Sequence, residues 1–196
     1  MIIKIDKLPT DLFKKLKKII KDKSKEANHE LIGNIEEEYS LDKHIPILEP
    51  FLLKTIRVES ELLKIINERY NCNSVNKPFR LKNLWVNFQK KNEFNPLHNH
   101  SGVFSFIIFI KVPFLIKDQL QISPGKKASQ NLPGVLQFVG FDQFNSTLLQ
   151  NFFVDKKWEQ SMLIFPASYS HCVYPFYKVD DYRITISGNI KIKVWK

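Results

Sequence analysis

The sequence predicts a mainly β fold preceded by helices. Apolar residues recur at helical spacing in the stretch before Pro78, and many short strand-like runs follow it with no helix between them. The chain has 196 residues, 43% of them hydrophobic and 13% aromatic, which is enough for one sizeable core and rules out intrinsic disorder. Successive strands without intervening helices imply an antiparallel sandwich or barrel. Residues 1–78 are read as a helical buttress and 79–196 as the β core of a single domain, because neither part alone would bury much surface.

Thr10 is the expected N-cap of a first helix, in which Leu12, Phe13, Leu16, Ile19 and Ile20 make an apolar stripe. Lys14, Lys15, Lys17, Lys18 and Lys21 cover the rest, and the helix should end near Lys23. A basic amphipathic helix suits a membrane surface or a partner, although packing of the stripe on the domain is its commoner use. A second helix is expected to open at Pro50 and run to about Tyr70 through Leu52, Leu53, Ile56, Leu63 and Ile66, with Asn71, Asn73, Ser74 and the run Asn76 to Pro78 as its stop. Strands are then expected at Leu84 to Phe88, Val103 to Val112, Val135 to Val139, Leu148 to Val154, Met162 to Phe165, Cys172 to Tyr174 and Tyr182 to Val194. The Pro/Gly-punctuated stretch Ile122 to Gly134 reads as a loop long enough to serve as a lid.

The net charge of +10 raises the question of nucleic acid, but only four of the thirty basic residues are arginine: Arg57, Arg69, Arg80 and Arg183. The lysine excess reads mainly as a solvated surface, with nucleic acid kept as a minority partner. No apolar run nears the roughly 20 residues of a membrane span, and the N-terminus is too short and charged for a signal peptide, so a soluble cytoplasmic protein without a membrane partner is expected. Cys72 and Cys172 are too few for a disulfide framework and lack metal-ligand spacing.

His98-Asn99-His100 sets two imidazoles two residues apart, and an extended strand turns such a pair to one face, where both can address one metal ion. His171 is a third candidate, and Arg183 follows twelve residues later with Thr185 two beyond it. If the segments around His171 and Arg183 are neighbouring antiparallel strands, the two residues lie at comparable depth in one sheet. Arg183 and Thr185 then share a face, and a guanidinium beside a hydroxyl suits a carboxylate. The bland alternatives are satisfied polar histidines and a structural ion pair for Arg183. His29 and His44 need no function, Cys172 should face away from any metal on His171, and Trp85 and Asn87 read as packing or pocket-wall residues.

With these residues in view, the sequence resembles the Fe(II)/2-oxoglutarate-dependent oxygenases, whose signature is H-x-D/E, a distal His and an R-x-S-type anchor. The phrases Trp85-Val86-Asn87, Asn95 to His100, Phe104-Ser105 leading to Pro113, Leu163 to Pro166 and Arg183 to Asn189 resemble a small branch found in marine bacteria and phages. The resemblance spans roughly Leu84 to Ile192. It implies a double-stranded β-helix, the jelly-roll barrel also found in cupins, with ferrous iron on His98, His100 and His171. It also implies 2-oxoglutarate chelating that iron and meeting Arg183 and Thr185 with its far carboxylate. The implied activity is that of a dioxygenase hydroxylating an unidentified small molecule or side chain, in the host cytoplasm if the protein is phage-encoded. Two positions depart from the pattern: His100 replaces the usual carboxylate, either as a ligand or as a residue behind the ligands, and Phe109 stands where relatives in this branch often carry tyrosine. A cupin-type metal-binding protein is the rival reading, since Pro166 to His171 echoes a cupin phrase, but no acid closely follows His100. A non-catalytic jelly-roll binding module is the third.

Overall fold

The computed structural model describes residues 2–58, 63–64, 67–68 and 79–192. Among the described residues, ten strands form two antiparallel sheets. One has six strands in the order β1-β8-β5-β10-β3-β2, and the other has four in the order β4-β9-β6-β7. In sequence the strands are β1 (Ile3–Ile5), β2 (Glu37–Ser40), β3 (Phe79–Gln89), β4 (Asn95–His98), β5 (Phe104–Lys111), β6 (Leu136–Phe141), β7 (Thr147–Phe152), β8 (Met162–Pro166), β9 (Ser170–Val173) and β10 (Arg183–Ile192). Among the described residues, α-helices span Thr10–Ile19 (α1), Ile45–Val58 (α2) and Ile116–Ile122 (α3), and residues 63–64 and 67–68 are also helical.

Side-chain alternation along the strands builds two cores. On β5, Phe104, Phe106, Ile108 and Ile110 face one way and pack with Phe13, Leu16 and Ile19 of α1 and Leu48, Leu52 and Ile56 of α2. Ile107 and Phe109 face the other way and pack with Leu163 and Phe165 of β8 and with Leu136 and Phe138 of β6. The six-stranded sheet is therefore covered by helices on its outer face and by the second sheet on its inner face. Burial on both faces is why the β5 sequence is almost continuously apolar rather than alternating.

Several expectations need correction. Pro9 precedes α1 with no side-chain cap bond, Thr10 is already helical, and α1 ends at Ile19, where Lys21 and Asp22 donate to Lys18 and Ile19 in tight three-residue turns. The second helix opens at Ile45 and carries Pro50 inside. That proline forgoes one hydrogen bond, and the burial of Leu48, Leu52 and Ile56 outweighs the loss. Ile66, Tyr70 and the stop at residues 71–78 lie outside the described residues. A short helix, α3, interrupts the β half.

Strands β1 and β2 had no sequence signal, and β4 was anticipated only in reading His98 to His100 as extended, of which His98 alone lies in the strand. Glu37-Glu38-Tyr39-Ser40 is extended because it pairs with β3, not because of its composition. β4 contains Pro96, which an edge strand tolerates, and its pairing with β9 skips between Asn95 and His98. The largest correction concerns His171 and Arg183: β9 belongs to the four-stranded sheet and β10 to the six-stranded one, so the intervening chain crosses between sheets instead of making a hairpin. Among the described residues no helix is long and apolar enough to cross a membrane.

Candidate metal centre and its cavity

Pairing of β4 with β9 sets His98 directly opposite His171. His100 lies just beyond the end of β4, held by its backbone N–H donating to the Ala167 carbonyl at 2.8 Å. The three rings lie 4.3 to 5.1 Å apart between centroids, and one nitrogen from each falls within 4.8 Å of the others. A carbonyl can only accept. The contacts of His98 Nδ1 with Pro96 O at 2.7 Å and of His171 Nδ1 with Tyr169 O at 3.0 Å therefore put the proton on Nδ1 and leave each Nε2 with a free lone pair.

Burial pushes all three imidazoles below the ordinary histidine range, His171 to about 4 and His100 to about 3, with the charges of neighbouring imidazoles adding to the shift in the latter two. They are neutral at pH 7, the form that ligates a metal. Phe138 and Phe165 pack on the His171 ring, and Trp85 lies 5.8 Å from His100. Cys172 is half-buried with its Sγ 3.9 Å from Gln137 Oε1, apart from the metal-ligating group. His29 and His44 lie against Glu30 and Asp22, outside this group.

Arg183 is 3% exposed. Its Nε donates to Gln89 Oε1 at 2.8 Å, Nη1 to the Gly134 carbonyl at 2.7 Å and Nη2 to the Tyr174 carbonyl at 3.2 Å. All three acceptors are neutral, so the buried positive charge has no counter-ion among them, and burial pushes the group down only to about 9, still protonated at pH 7. A buried charge without a partner is costly, and a guanidinium with donors to spare is suited to an anion. Gly134 brings its carbonyl here with φ +69, and a Cβ there would meet the Phe114 ring at 2.8 Å. The end of the 122–134 loop is thus fastened to Arg183.

One cavity of about 180 Å³ is lined by the three histidines, Arg183 and Thr185. The β3–β10 register pairs Arg183 with Gln89, Thr185 with Asn87 and Ser187 with Trp85, so these polar side chains share the inner face while Ile184 and Ile186 join the outer core. Asn87 and Trp85 are wall residues, as read from the sequence. Gln89 and Ser187 were missed, although stepping by two from Asn87 and Thr185 along each strand would have found them. Gly33, Glu38 and Asn95 also line the cavity; neither the segment carrying Gly33 and Glu38 nor the strand carrying Asn95 was assigned to the cavity from the sequence.

The site suits a divalent cation: three neutral nitrogens converge, and an uncompensated guanidinium in the same cavity is ready for an acidic cosubstrate. Residues 83–189 match the family described as "Putative 2OG-Fe(II) oxygenase". No curated protein matches the chain. Among solved structures, a prolyl-4-hydroxylase of Pseudomonas putida aligns at TM-score 0.55 and 12% identity, over 98% of this chain and 93% of that one. A 2OG-Fe(II) oxygenase family oxidoreductase of Burkholderia pseudomallei aligns at 0.52 and 11%, over 97% and 84%. The viral collagen prolyl hydroxylase of Paramecium bursaria Chlorella virus-1, solved as a 2OG complex, aligns at 0.50 and 12%, over 96% and 94%. At such identities the likeness shows the fold. None of these comparisons supports the cupin-type or the non-catalytic reading.

Proposed function

The chain belongs to the 2OG-Fe(II) oxygenase family, and on that basis we propose that it is a dioxygenase that hydroxylates a substrate carbon. Its cofactors are ferrous iron and 2-oxoglutarate, those of the family. In this reading His98, His100 and His171 hold the iron, and Arg183 with Thr185 holds the far carboxylate of 2-oxoglutarate. When bound, iron and 2-oxoglutarate supply oxidation of a substrate C–H bond by dioxygen, coupled to decarboxylation of 2-oxoglutarate to succinate.

The protein's share of the chemistry is positional and electrostatic. The Pro96 and Tyr169 carbonyls hold His98 and His171 with Nε2 toward the centre, so no proton has to leave a ring before metal binds. Three imidazoles carry no charge, so the ion keeps its full double positive charge where a carboxylate ligand would have cancelled half. Together with Arg183 this favours a dianionic cosubstrate. Ile107, Phe109, Leu136 and Val154 give the cavity apolar wall that limits water around the reacting groups. Phe109 has no hydroxyl to offer, which leaves Arg183 and Thr185 to anchor the carboxylate.

The observation that carries this reading is the convergence of three neutral imidazoles in one cavity with a buried, uncompensated guanidinium. Anaerobic addition of Fe(II) and 2-oxoglutarate should produce the weak visible charge-transfer band of the chelate. His171→Ala should abolish it, and Arg183→Ala should weaken 2-oxoglutarate binding at least tenfold more than iron binding. Wild-type protein that binds iron without giving this band or releasing succinate would overturn the reading.

A further inference from the structure

The row of inward-facing residues on the six-stranded sheet continues past the proposed cosubstrate anchor. Thr185 pairs with Asn87 across β10 and β3, and Asn87 pairs with Glu38 across β3 and β2. The row ends on Glu38, a residue only 1% exposed. Glu38 Oε2, Asn87 Oδ1 and Asn95 Oδ1 are all buried without a hydrogen-bond partner, and all three residues line the cavity that holds the histidines. Unmade bonds of this kind are costly, and three of them facing one space mark a place where something else supplies the donors.

Gly33 defines that space. A Cβ at this position would lie 2.5 Å from Asn95 Oδ1 and 2.8 Å from Glu38 Oε1, so any side chain would fill the room in front of both oxygens. Its φ lies outside the left-handed region, so the glycine is needed for clearance and not for backbone conformation. The Asn95 and Asn87 amides can each turn over and present N–H instead of oxygen, but a carboxylate can only accept, so Glu38 sets the polarity of the site. Arg183, at another point of the same cavity, is the cation that calls for an anion; Glu38 calls for the opposite charge.

We propose that Glu38, with Asn87 and Asn95 in front of Gly33, forms a subsite for a substrate ammonium group, which offers three N–H donors and the positive charge the carboxylate lacks. This substrate class rests on the oxygenase reading of the cavity. Burial, with the charge of Glu93 adding to it, pushes the Glu38 carboxyl up to about 7, so the subsite is easily left uncharged when empty and gains its negative charge as the ammonium arrives. An aliphatic amine and a lysyl side chain present the same group.

The test uses calorimetry on the full chain, with and without Fe(II) and 2-oxoglutarate under anaerobic conditions. The probes are n-butylammonium, n-butanol, butyrate and a short blocked peptide with one lysine. Butylammonium should bind at least tenfold more tightly than butanol in both conditions, and than butyrate once 2-oxoglutarate occupies Arg183. Glu38→Gln should remove that preference, and Gly33→Ala should weaken butylammonium at least tenfold, both with the charge-transfer band retained. Tighter binding of the lysine peptide than of butylammonium would assign the group to a peptide substrate, and the reverse order to a small molecule. The proposal is overturned if wild-type protein does not discriminate butylammonium from butanol, a comparison that needs no variant, or if Glu38→Gln keeps the preference. The band reports separately on the oxygenase reading, so either can fail alone.

Discussion

Burial pushes the Glu38 carboxyl above the usual carboxylate range to about 7. The unfolded chain releases that proton near the ordinary value of 4.5, whereas the folded chain holds it until about 7. The folded state is thus favoured below 4.5 and loses that advantage as pH rises to 7, by about 3 kcal/mol at most. In urea unfolding of the metal-free protein, the stability of the wild type relative to Glu38→Gln should fall from pH 4.5 to 7; the comparison removes the opposite slope that the three histidines, which burial holds below the ordinary range, give both proteins. Glu93 is the charged group that adds to the shift, and Glu30, Arg183 and the three histidines line the same cavity. At this scale the histidines were legible because H-x-H maps directly onto the two-residue period of extended chain. Glu38 was not, since a glutamate in a polar stretch looks like any solvated acid until β3 buries it.

Elements decide which of these side chains meet. β4 is a four-residue edge strand containing a proline, yet it delivers His98 opposite His171 because β9 templates it. The helices contribute differently. Leu52 on α2 is fully buried against the outer face of the six-stranded sheet, remote from the cavity. Leu52→Ala should cost about 2–5 kcal/mol in denaturant unfolding through the cavity it leaves, while the visible chelate band keeps its position and intensity in the folded protein. A shift in the band would mean that α2 positions the metal centre rather than only supporting the sheet behind it. Long strands such as β5 and β10 could be read ahead of the structure from apolar content, whereas β1, β2 and β4 owe their extended form to partners distant in sequence.

For the molecule as a whole, metal binding at the proposed histidine site should couple to stability. A ligand that binds only the folded state stabilises it by about 2.7 kcal/mol at a hundredfold excess over its dissociation constant. Adding Fe(II) anaerobically should raise the thermal midpoint, a chelator should return it to the metal-free value, and His171→Ala should respond to neither. A midpoint in the variant that still follows the metal would place the ion elsewhere. A mainly β fold with helices packed against it was foreseeable from periodicity, composition and the change at Pro78, while the five residues proposed to hold iron and cosubstrate were picked out by the spacing of the histidines and of Arg183 and Thr185. Alternation along a strand is a local property, and residues such as Arg183 and Thr185 carry it in their spacing. Which sheet each strand joins is not local: His171 and Arg183 lie twelve residues apart yet end on different sheets, and Glu38 reaches the cavity only through pairing with a strand some fifty residues away. Those placements depend on long-range hydrogen bonding and burial, which cost entropy to assemble and repay it only when the two sheets come together.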